Sequence, residues 1–288
     1  MDTIMDALVA RKNKRAFNQL RRLRVTYNIF DFADGSLLFE CGRTKIMCAV
    51  TLQHGVPQFM RGEKSGWLTA EYAMLPAATR PRTVRDAHGP RANQRNIEIS
   101  RLIGRALRAV CDLSALGDYT INVDCDVLQA DAGTRTASIS AASVALTLAQ
   151  AVWLKKGIIT KPILKEKIAA VSIGYMQDTL ILDPDYSEDS VMDADVNFIL
   201  TESKELIEVQ GGAERNQFSW KVLQGMYDLA CQGVEEIFTF FERTEKAYFY
   251  PAQKEATTPT QKQSEKATEG DQKVSLFTLK DRFSFNKQ

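Results

Sequence analysis

The chain has 288 residues, of which 44% are hydrophobic and 25% are charged, a composition that is typical of a folded globular protein and excludes a wholly disordered one. Its formal net charge is +1, so an anionic partner would have to be bound by a local group of basic residues. Five scattered cysteines without a C-x-x-C pair indicate buried thiols in a reducing compartment, and two histidines leave little for a zinc site or a Ser-His-Asp triad.

The first residues show neither a basic flank followed by an apolar stretch nor the acid-poor composition of a transit peptide. No apolar run is long enough to suggest a membrane span. We therefore expect a soluble, cytoplasmic protein with no membrane partner.

The first part of the chain predicts a sheet with one helix packed on it. Apolar segments flank the turn at Gly42-Arg43, which is typical of two paired strands, and a later segment has apolar residues at helical spacing. The predicted elements are strands at residues 36–41, 44–52 and 67–75 and an amphipathic helix between residues 95 and 115.

The second part begins with a strand, a short loop and a helix rich in small residues, and this pattern then recurs in outline. The order of elements predicts an α+β fold in which helices pack on mixed sheets in β-α-β type units. The predicted strands are at residues 119–128, 168–174, 179–182, 196–200 and 205–210, and the predicted helices at residues 134–156 and 219–243.

The composition also divides the chain. From about residue 245 it changes to Lys, Glu, Gln, Thr and Pro with few apolar residues, which predicts a disordered tail at residues 245–288. We expect an N-terminal extension at residues 1–14 and a single folded domain at residues 15–244.

A glycine-containing loop leads directly into a helix at residues 129–138, Gln-Ala-Asp-Ala-Gly-Thr-Arg-Thr-Ala-Ser. Backbone N–H groups at a helix start, the hydroxyl of Thr134 and the guanidinium of Arg135 could together donate several hydrogen bonds to a phosphate. An ordinary N-cap followed by a solvated arginine is the alternative interpretation.

A dense run of carboxylates lies at residues 183–195, between two apolar segments that resemble strands. Mutual repulsion would raise some of their pKa values unless a divalent cation or an arginine neutralises them, as is usual in phosphoryl-transfer sites. The alternative is an acidic surface turn.

Basic residues concentrate at residues 80–95 in a chain that is otherwise nearly neutral. Arginines on a loop can contact phosphates without reading bases, so this stretch is a candidate RNA track. A solvated basic loop explains the same composition.

Six segments, taken in order, resemble the ribonuclease PH family, whose domain is also the repeated unit of polynucleotide phosphorylase and of exosome ring subunits. The resemblance spans roughly residues 15–244 and implies a ribonuclease PH-like domain of the ribosomal protein S5 domain 2-like fold. The segments are GSLLFECGRTK at 35–45, GWLTAEYAMLP at 66–76, EISRLIGRALRA at 98–109, DCDVLQADAGTRTA at 124–137, the run from YSEDS to DVN at 186–197, and EVQGGAE at 208–214.

The resemblance also implies the residues of a site. Asp189 and Asp195 would be the catalytic carboxylates, which bind Mg²⁺ or exchange protons, and Asn197 would be a neighbour. The basic residues that would guide RNA are Arg82 and Arg85. The residues that would bind the attacking inorganic phosphate are Arg95, Gly133, Thr134 and Arg135.

The chain departs from the family pattern at a few positions. It lacks the usual N-terminal Pro-Asp-Gly-Arg, although Arg15 and Arg21 stand at plausible equivalents of later basic positions. Ala77 stands where an arginine is common, and the other departures replace glycine or threonine. Those are Gln94, Ala132 and Gly212.

The activity that the resemblance implies is phosphorolytic 3′→5′ exoribonuclease action, or tRNA nucleotidyltransferase action, with RNA 3′ ends as substrate and transfer RNA precursors as the expected RNA. The implied assembly is a homo-oligomer, a hexameric ring built as a trimer of dimers. Two alternatives stay open: a non-catalytic RNA-binding ring subunit or scaffold of the exosome type, and a metal-dependent hydrolytic nuclease that activates water in place of phosphate.

Overall fold

The described part of the chain, residues 11, 14–85 and 93–249 of a computed structural model, contains two β-sheets with helices packed against them. Five strands form the first sheet in the order β1-β2-β3-β5-β4, and four form the second in the order β7-β6-β8-β9. The strands are β1 (Leu23–Tyr27), β2 (Gly35–Cys41), β3 (Thr44–His54), β4 (Trp67–Met74), β5 (Tyr119–Gln129), β6 (Ile168–Met176), β7 (Thr179–Leu182), β8 (Ala194–Thr201) and β9 (Leu206–Ala213).

The helices connect these sheets and cover them. The first packs on β4, the second on both sheets, and the last on β6 and β7. Because β4 runs parallel to β5 while the other paired strands are antiparallel, the first sheet is mixed and the α+β prediction is confirmed. The helices are α1 (Gln94–Ala109), α2 (Thr134–Lys155), the single turn α3 (Tyr186–Asp189) and α4 (Trp220–Phe249).

Helix α2 lies between the two sheets and is buried on almost every side. Its small residues allow close approach: a Cβ added to Gly35 of β2 would be 2.2 Å from the carbonyl oxygen of Ala145. On the other side, the hydroxyl of Ser140 accepts a hydrogen bond of 3.0 Å from the backbone N–H of Ala170 in β6. The helix therefore serves as a common core, and its N-terminus is held at a defined place relative to both sheets.

Among the described residues, α2 is long and apolar enough to cross a membrane, so the expectation that no segment reaches this length was wrong. Most of the apolar window is buried inside the protein. An apolar helix packed on all sides is typical of a core helix, because such a helix has no face that needs water.

The structure differs from the sequence-based elements mainly at their ends. Strand β1 was not predicted, although Leu23, Val25 and Tyr27 alternate with polar residues in the pattern of a half-buried strand. Helix α4 continues to Phe249, past the boundary predicted at residue 245, so that boundary was placed too early. Residues 1–10, 12, 13, 86–92 and 250–288 lie outside the described residues. The predictions made for them, which include the middle of the candidate RNA track, stay predictions.

The last turn of α4 packs on the first strand. The ring of Tyr248 lies 5.0 Å from the ring of Tyr27, whose hydroxyl forms a hydrogen bond of 2.8 Å with Thr244 Oγ1. Glu245 Oε2 accepts a hydrogen bond of 2.7 Å from Lys167 Nζ. These contacts explain why the helix does not end where the composition changes.

A chain that ends at Thr244 is expected to be less stable than a chain that ends at Phe249 by about 1–2 kcal/mol, because it loses an aromatic pair and a half-buried ion pair. Urea denaturation of the two truncated chains measures the difference. Equal free energies of unfolding would show that the last turn of α4 contributes nothing to the fold.

Candidate active site

A cavity of about 550 Å³ lies where the N-termini of α1 and α2, the turn α3 and the strands β8 and β9 meet. Its wall contains both basic and acidic side chains. A somewhat larger cavity of about 610 Å³ lies among residues 55–65, 117 and 118, but it contains none of the predicted site residues. The predicted residues that line the first cavity are Arg95, Gly133, Thr134, Arg135, Asp189, Asp195 and Asn197.

The loop before α2 turns sharply to present the start of the helix to the cavity. Ala132 and Gly133 both have left-handed backbone angles, with φ of 60° and 62°. Glycine adopts this conformation freely, whereas alanine does so at a cost of about 1 kcal/mol, so Ala132 is a strained residue in this loop. No side chain of a described residue caps α2, which leaves its first N–H groups available to an anion.

The first side chains of α2 add further donors. The hydroxyl of buried Tyr72 donates a hydrogen bond of 2.9 Å to Thr134 Oγ1, so the hydrogen of the Thr134 hydroxyl stays available for another acceptor. Nη2 of Arg135 lies 3.5 Å from Glu98 Oε1. The buried Nε of the same guanidinium has no hydrogen-bond partner among the described residues. A buried, unpaired guanidinium N–H at a helix start is well placed to bind a phosphate.

Two carboxylates form the acidic side of the cavity. Burial, Asp195 and Glu214 raise the pKa of Asp189 to about 6, although the charges of Arg95 and Arg21 oppose this shift. Burial also raises the pKa of Asp195, against hydrogen bonds from Ser172 and from Asn197, whose Nδ2 lies 3.2 Å from Oδ2. Asp195 is therefore fixed by two donors, while burial and neighbouring charges set the pKa of Asp189.

Asp189 is positioned by the backbone of α3. Asp185 caps this turn and forms a capping box with Glu188, whose carboxylate accepts hydrogen bonds of 2.8 Å from both Nε and Nη2 of Arg11. Arg15 reaches the same carboxylate at 3.2 Å. Arg11 is buried, so this residue belongs to the packed structure although it precedes the domain start predicted at residue 15.

A buried ion pair connects the segment before α3 with the loop before α2. Arg21 donates to Asp183 from its backbone N at 2.8 Å, from Nε at 2.9 Å and from Nη2 at 2.6 Å. The same guanidinium donates to the carbonyl oxygens of Asp131 and Ala132. Burial would raise the pKa of Asp183, but the charge and hydrogen bonds of Arg21 outweigh it and hold that pKa at about 2.

Mg²⁺ is the metal that the resemblance implies for this cavity. No group of three or more His, Cys, Asp or Glu side chains within the described ranges is arranged to hold a metal ion by itself. Mg²⁺ is usually bound through one or two carboxylates, with water and substrate phosphates as the other ligands. Asp189 and Asp195, whose pKa values are both raised, fit such a partial site.

Two predicted residues lie elsewhere. Arg82 and Arg85 are exposed on the segment after β4 and do not line the cavity, although Thr79 of the same segment does. Their RNA-binding role stays a prediction. Five further residues lie in or beside the cavity, and the sequence assigned no individual role to them: Ser172, Tyr186, Glu214, Tyr72 and Asp183.

The alternation of side chains along a strand identifies only some of the residues around Asp195. Asp195 and Asn197 are two residues apart in β8 and so share one face of it. Ser172 of β6 lies opposite Asn197, and only the register of the sheet reveals this pairing. Gly211 of β9 lies so close to β8 that a Cβ there would be 2.1 Å from the carbonyl oxygen of Asp195. At Gly212 nothing lies within 4 Å of an added Cβ, so that departure from the family pattern leaves open space in the cavity.

Comparisons with known proteins assign a family to the chain. The model described as "3′ exoribonuclease family, domain 1" matches residues 19–151, and the model for domain 2 of the same family matches residues 167–233. At 19–21% identity the similar solved structures show the fold alone.

Rice (Oryza sativa) Rrp46 has a TM-score of 0.66 and 19% identity, and the match covers 81% of this chain and 99% of that one. The Archaeoglobus fulgidus exosome with RNA bound to the active site has a TM-score of 0.70 and 21% identity, with coverage of 83% of this chain and 96% of that one. An archaeal exosome core has a TM-score of 0.67 and 20% identity, with coverage of 84% of this chain and 94% of that one.

Substituting Asp183→Asn is expected to lower the free energy of unfolding at neutral pH by about 3–5 kcal/mol, because it leaves the guanidinium of Arg21 buried without a charged partner. The pKa of Asp183 in the folded protein, about 2, lies below the ordinary aspartate value of 3.8, so between these values the unfolded chain binds more protons than the folded one. The wild type should therefore lose about 2 kcal/mol as pH falls from 4 through 2.

Denaturation of both proteins between pH 7 and pH 2 measures this difference. The stability gap between wild type and Asp183→Asn should narrow below pH 4. Parallel curves over the whole range would contradict the assignment of this acid sensitivity to Asp183.

Proposed function

Because the chain belongs to the 3′ exoribonuclease family, which confirms its resemblance to ribonuclease PH, we propose that it removes nucleotides from RNA 3′ ends by phosphorolysis. Inorganic phosphate is the second substrate, and each cycle releases one nucleoside diphosphate. The observation that carries the proposal is that one cavity combines an uncapped helix start and two arginines with a pair of carboxylates of raised pKa.

The basic side of the cavity binds the attacking phosphate. The N–H groups at the start of α2, the hydroxyl of Thr134 and the Nε of Arg135 are the donors, and Arg95 adds charge from the start of α1. These fixed donors hold one phosphate oxygen in line with the terminal phosphodiester. Phosphate and RNA therefore react while both are bound, and do not have to collide in the right orientation.

In the reaction, a phosphate oxygen forms a bond to the last internucleotide phosphorus while the bond from that phosphorus to the 3′ oxygen breaks. The 3′ oxygen leaves with the shortened RNA and needs a proton. Burial and the neighbouring carboxylates raise the pKa of Asp189 to about 6, and in its protonated form this residue can deliver that proton. Asp195 is held by Ser172 and Asn197 and stays beside the reacting phosphorus.

In their ionised forms Asp189 and Asp195 would instead hold Mg²⁺, which when bound would supply positive charge near the reacting phosphorus. Arg82 and Arg85, exposed next to the cavity segment, would contact phosphates of the incoming RNA in a sequence-tolerant manner. Transfer RNA precursors, in the cytoplasm, are the expected substrates.

Incubation of the protein with RNA labelled in its last nucleotide, with and without inorganic phosphate, tests the proposal. Nucleoside diphosphate that appears only with phosphate is the expected product. Nucleoside monophosphate independent of phosphate would indicate the hydrolytic nuclease instead.

Substituting Asp189→Asn should lower kcat by at least about 100-fold, because it removes a carboxylate that handles charge or a proton at the reacting centre. Asp228→Asn, at an exposed position of α4, serves as the matched control and should keep wild-type activity. If the wild-type protein binds RNA but shows no turnover, the second candidate function is favoured, a non-catalytic RNA-binding ring subunit. The likeness to exosome structures is the observation that supports this candidate.

We propose that the protein assembles as a homo-hexameric ring, a trimer of dimers, in which exposed arginines of neighbouring subunits contact one RNA strand. The likeness to exosome core structures supports this proposal. Light scattering should give six times the mass of the chain, and a monomer at micromolar concentration would contradict the ring.

A further inference from the structure

One aromatic side chain lines the candidate active-site cavity among polar, charged and small residues. Tyr186 is 65% exposed, and it is the only aromatic residue among the described residues that line this cavity. Its hydroxyl has no hydrogen bond and its ring has no aromatic neighbour within the described part of the chain. The ring is therefore available to a bound molecule.

The backbone under this ring is rigid. Tyr186 is the first residue of α3, and its carbonyl oxygen accepts a hydrogen bond of 3.1 Å from the N–H of Ser190. The turn is capped by Asp185 and is held through Glu188 by Arg11 and Arg15. An aromatic ring on an anchored turn loses little conformational freedom when a flat partner stacks on it.

The ring also has a defined place relative to the chemistry. Tyr186 and Asp189 are three residues apart in one helical turn, so their side chains lie on the same face, separated by about 4.5 Å along the axis. A flat group that stacks on Tyr186 therefore lies beside the carboxylate at the reacting centre.

Exposed aromatic residues occur elsewhere on the surface, and exposure alone assigns no role to them. Phe32 is 100% exposed and Trp220 is 78% exposed, yet neither lines the cavity. What distinguishes Tyr186 is the combination of exposure, a fixed backbone and a position in the wall that carries both the anion site and the carboxylates.

We infer that Tyr186 is the stacking platform for the base of the 3′-terminal nucleotide. This inference rests on the proposed function, because it takes RNA 3′ ends as the ligand. Every nucleobase has an aromatic face, so the platform accepts all four bases, and the ligand class is a single-stranded 3′ end without a required sequence. The stacked base places its own phosphodiester next to Asp189.

The test uses two single-stranded RNAs that are identical except that one lacks the base of its 3′-terminal nucleotide. Binding to the full-length protein is measured by fluorescence anisotropy in phosphate-free buffer with magnesium, so that no phosphorolysis occurs. We expect the wild type to bind the complete RNA about tenfold more tightly than the abasic RNA.

Three variants make the result specific. Tyr186→Ala should bring the affinity ratio close to one, and Tyr186→Phe should keep the wild-type ratio because it keeps the ring. Phe32→Ala, at an exposed aromatic position outside the cavity, is the matched control and should also keep the ratio. In turnover, Tyr186→Ala should raise KM for RNA while KM for phosphate stays unchanged.

The inference is overturned if the wild type binds both RNAs equally, if it binds neither, or if Tyr186→Ala keeps the tenfold ratio. The proposed function has its own readout, the phosphate-dependent release of nucleoside diphosphate. Release of nucleoside diphosphate with no base-dependent binding would reject the platform and leave phosphorolysis standing.

Discussion

The buried ion pair between Arg21 and Asp183 is the interaction on which the candidate site depends. Arg21 donates three hydrogen bonds to Asp183, and its remaining N–H groups reach the carbonyl oxygens of the loop before α2. Two charges removed from water are stable only when nearly all of their hydrogen-bonding groups are paired, and here they are. The pair thus holds together the loop that carries the anion donors and the segment that leads to Asp189.

Helix α2 has a similar role on a larger scale. It packs between the sheets, with serine hydroxyls bonded to β6 and small residues against β2, so its N-terminus has little freedom to move. The start of a helix has N–H groups without intrahelical partners, and a rigid core helix offers them at a fixed place. The position of the candidate phosphate site follows from the packing of the core.

The cavity places opposite charges close together without pairing them fully. Arg95 lies near Asp189 and lowers its pKa, yet burial and the neighbouring carboxylates keep that pKa at about 6. The Nε of Arg135 is buried without a partner among the described residues. Carboxylates of raised pKa and an unpaired guanidinium N–H are costly in a folded protein, which is the usual mark of a site that binds charged ligands.

The amino-acid sequence by itself determined the α+β class, most strands and helices, and the two segments at residues 129–138 and 183–195 that contribute residues to the candidate cavity. These features follow from local periodicity, turn residues and charge density, which need no tertiary contact to be read. Tertiary structure alone decided that Arg21 pairs with Asp183, that Ser172 lies beside Asp195, and that Arg82 and Arg85 lie outside the cavity, because these depend on strand register and on contacts between distant segments. It also decided the end of α4, where packing of Tyr248 on Tyr27 outweighs a polar composition.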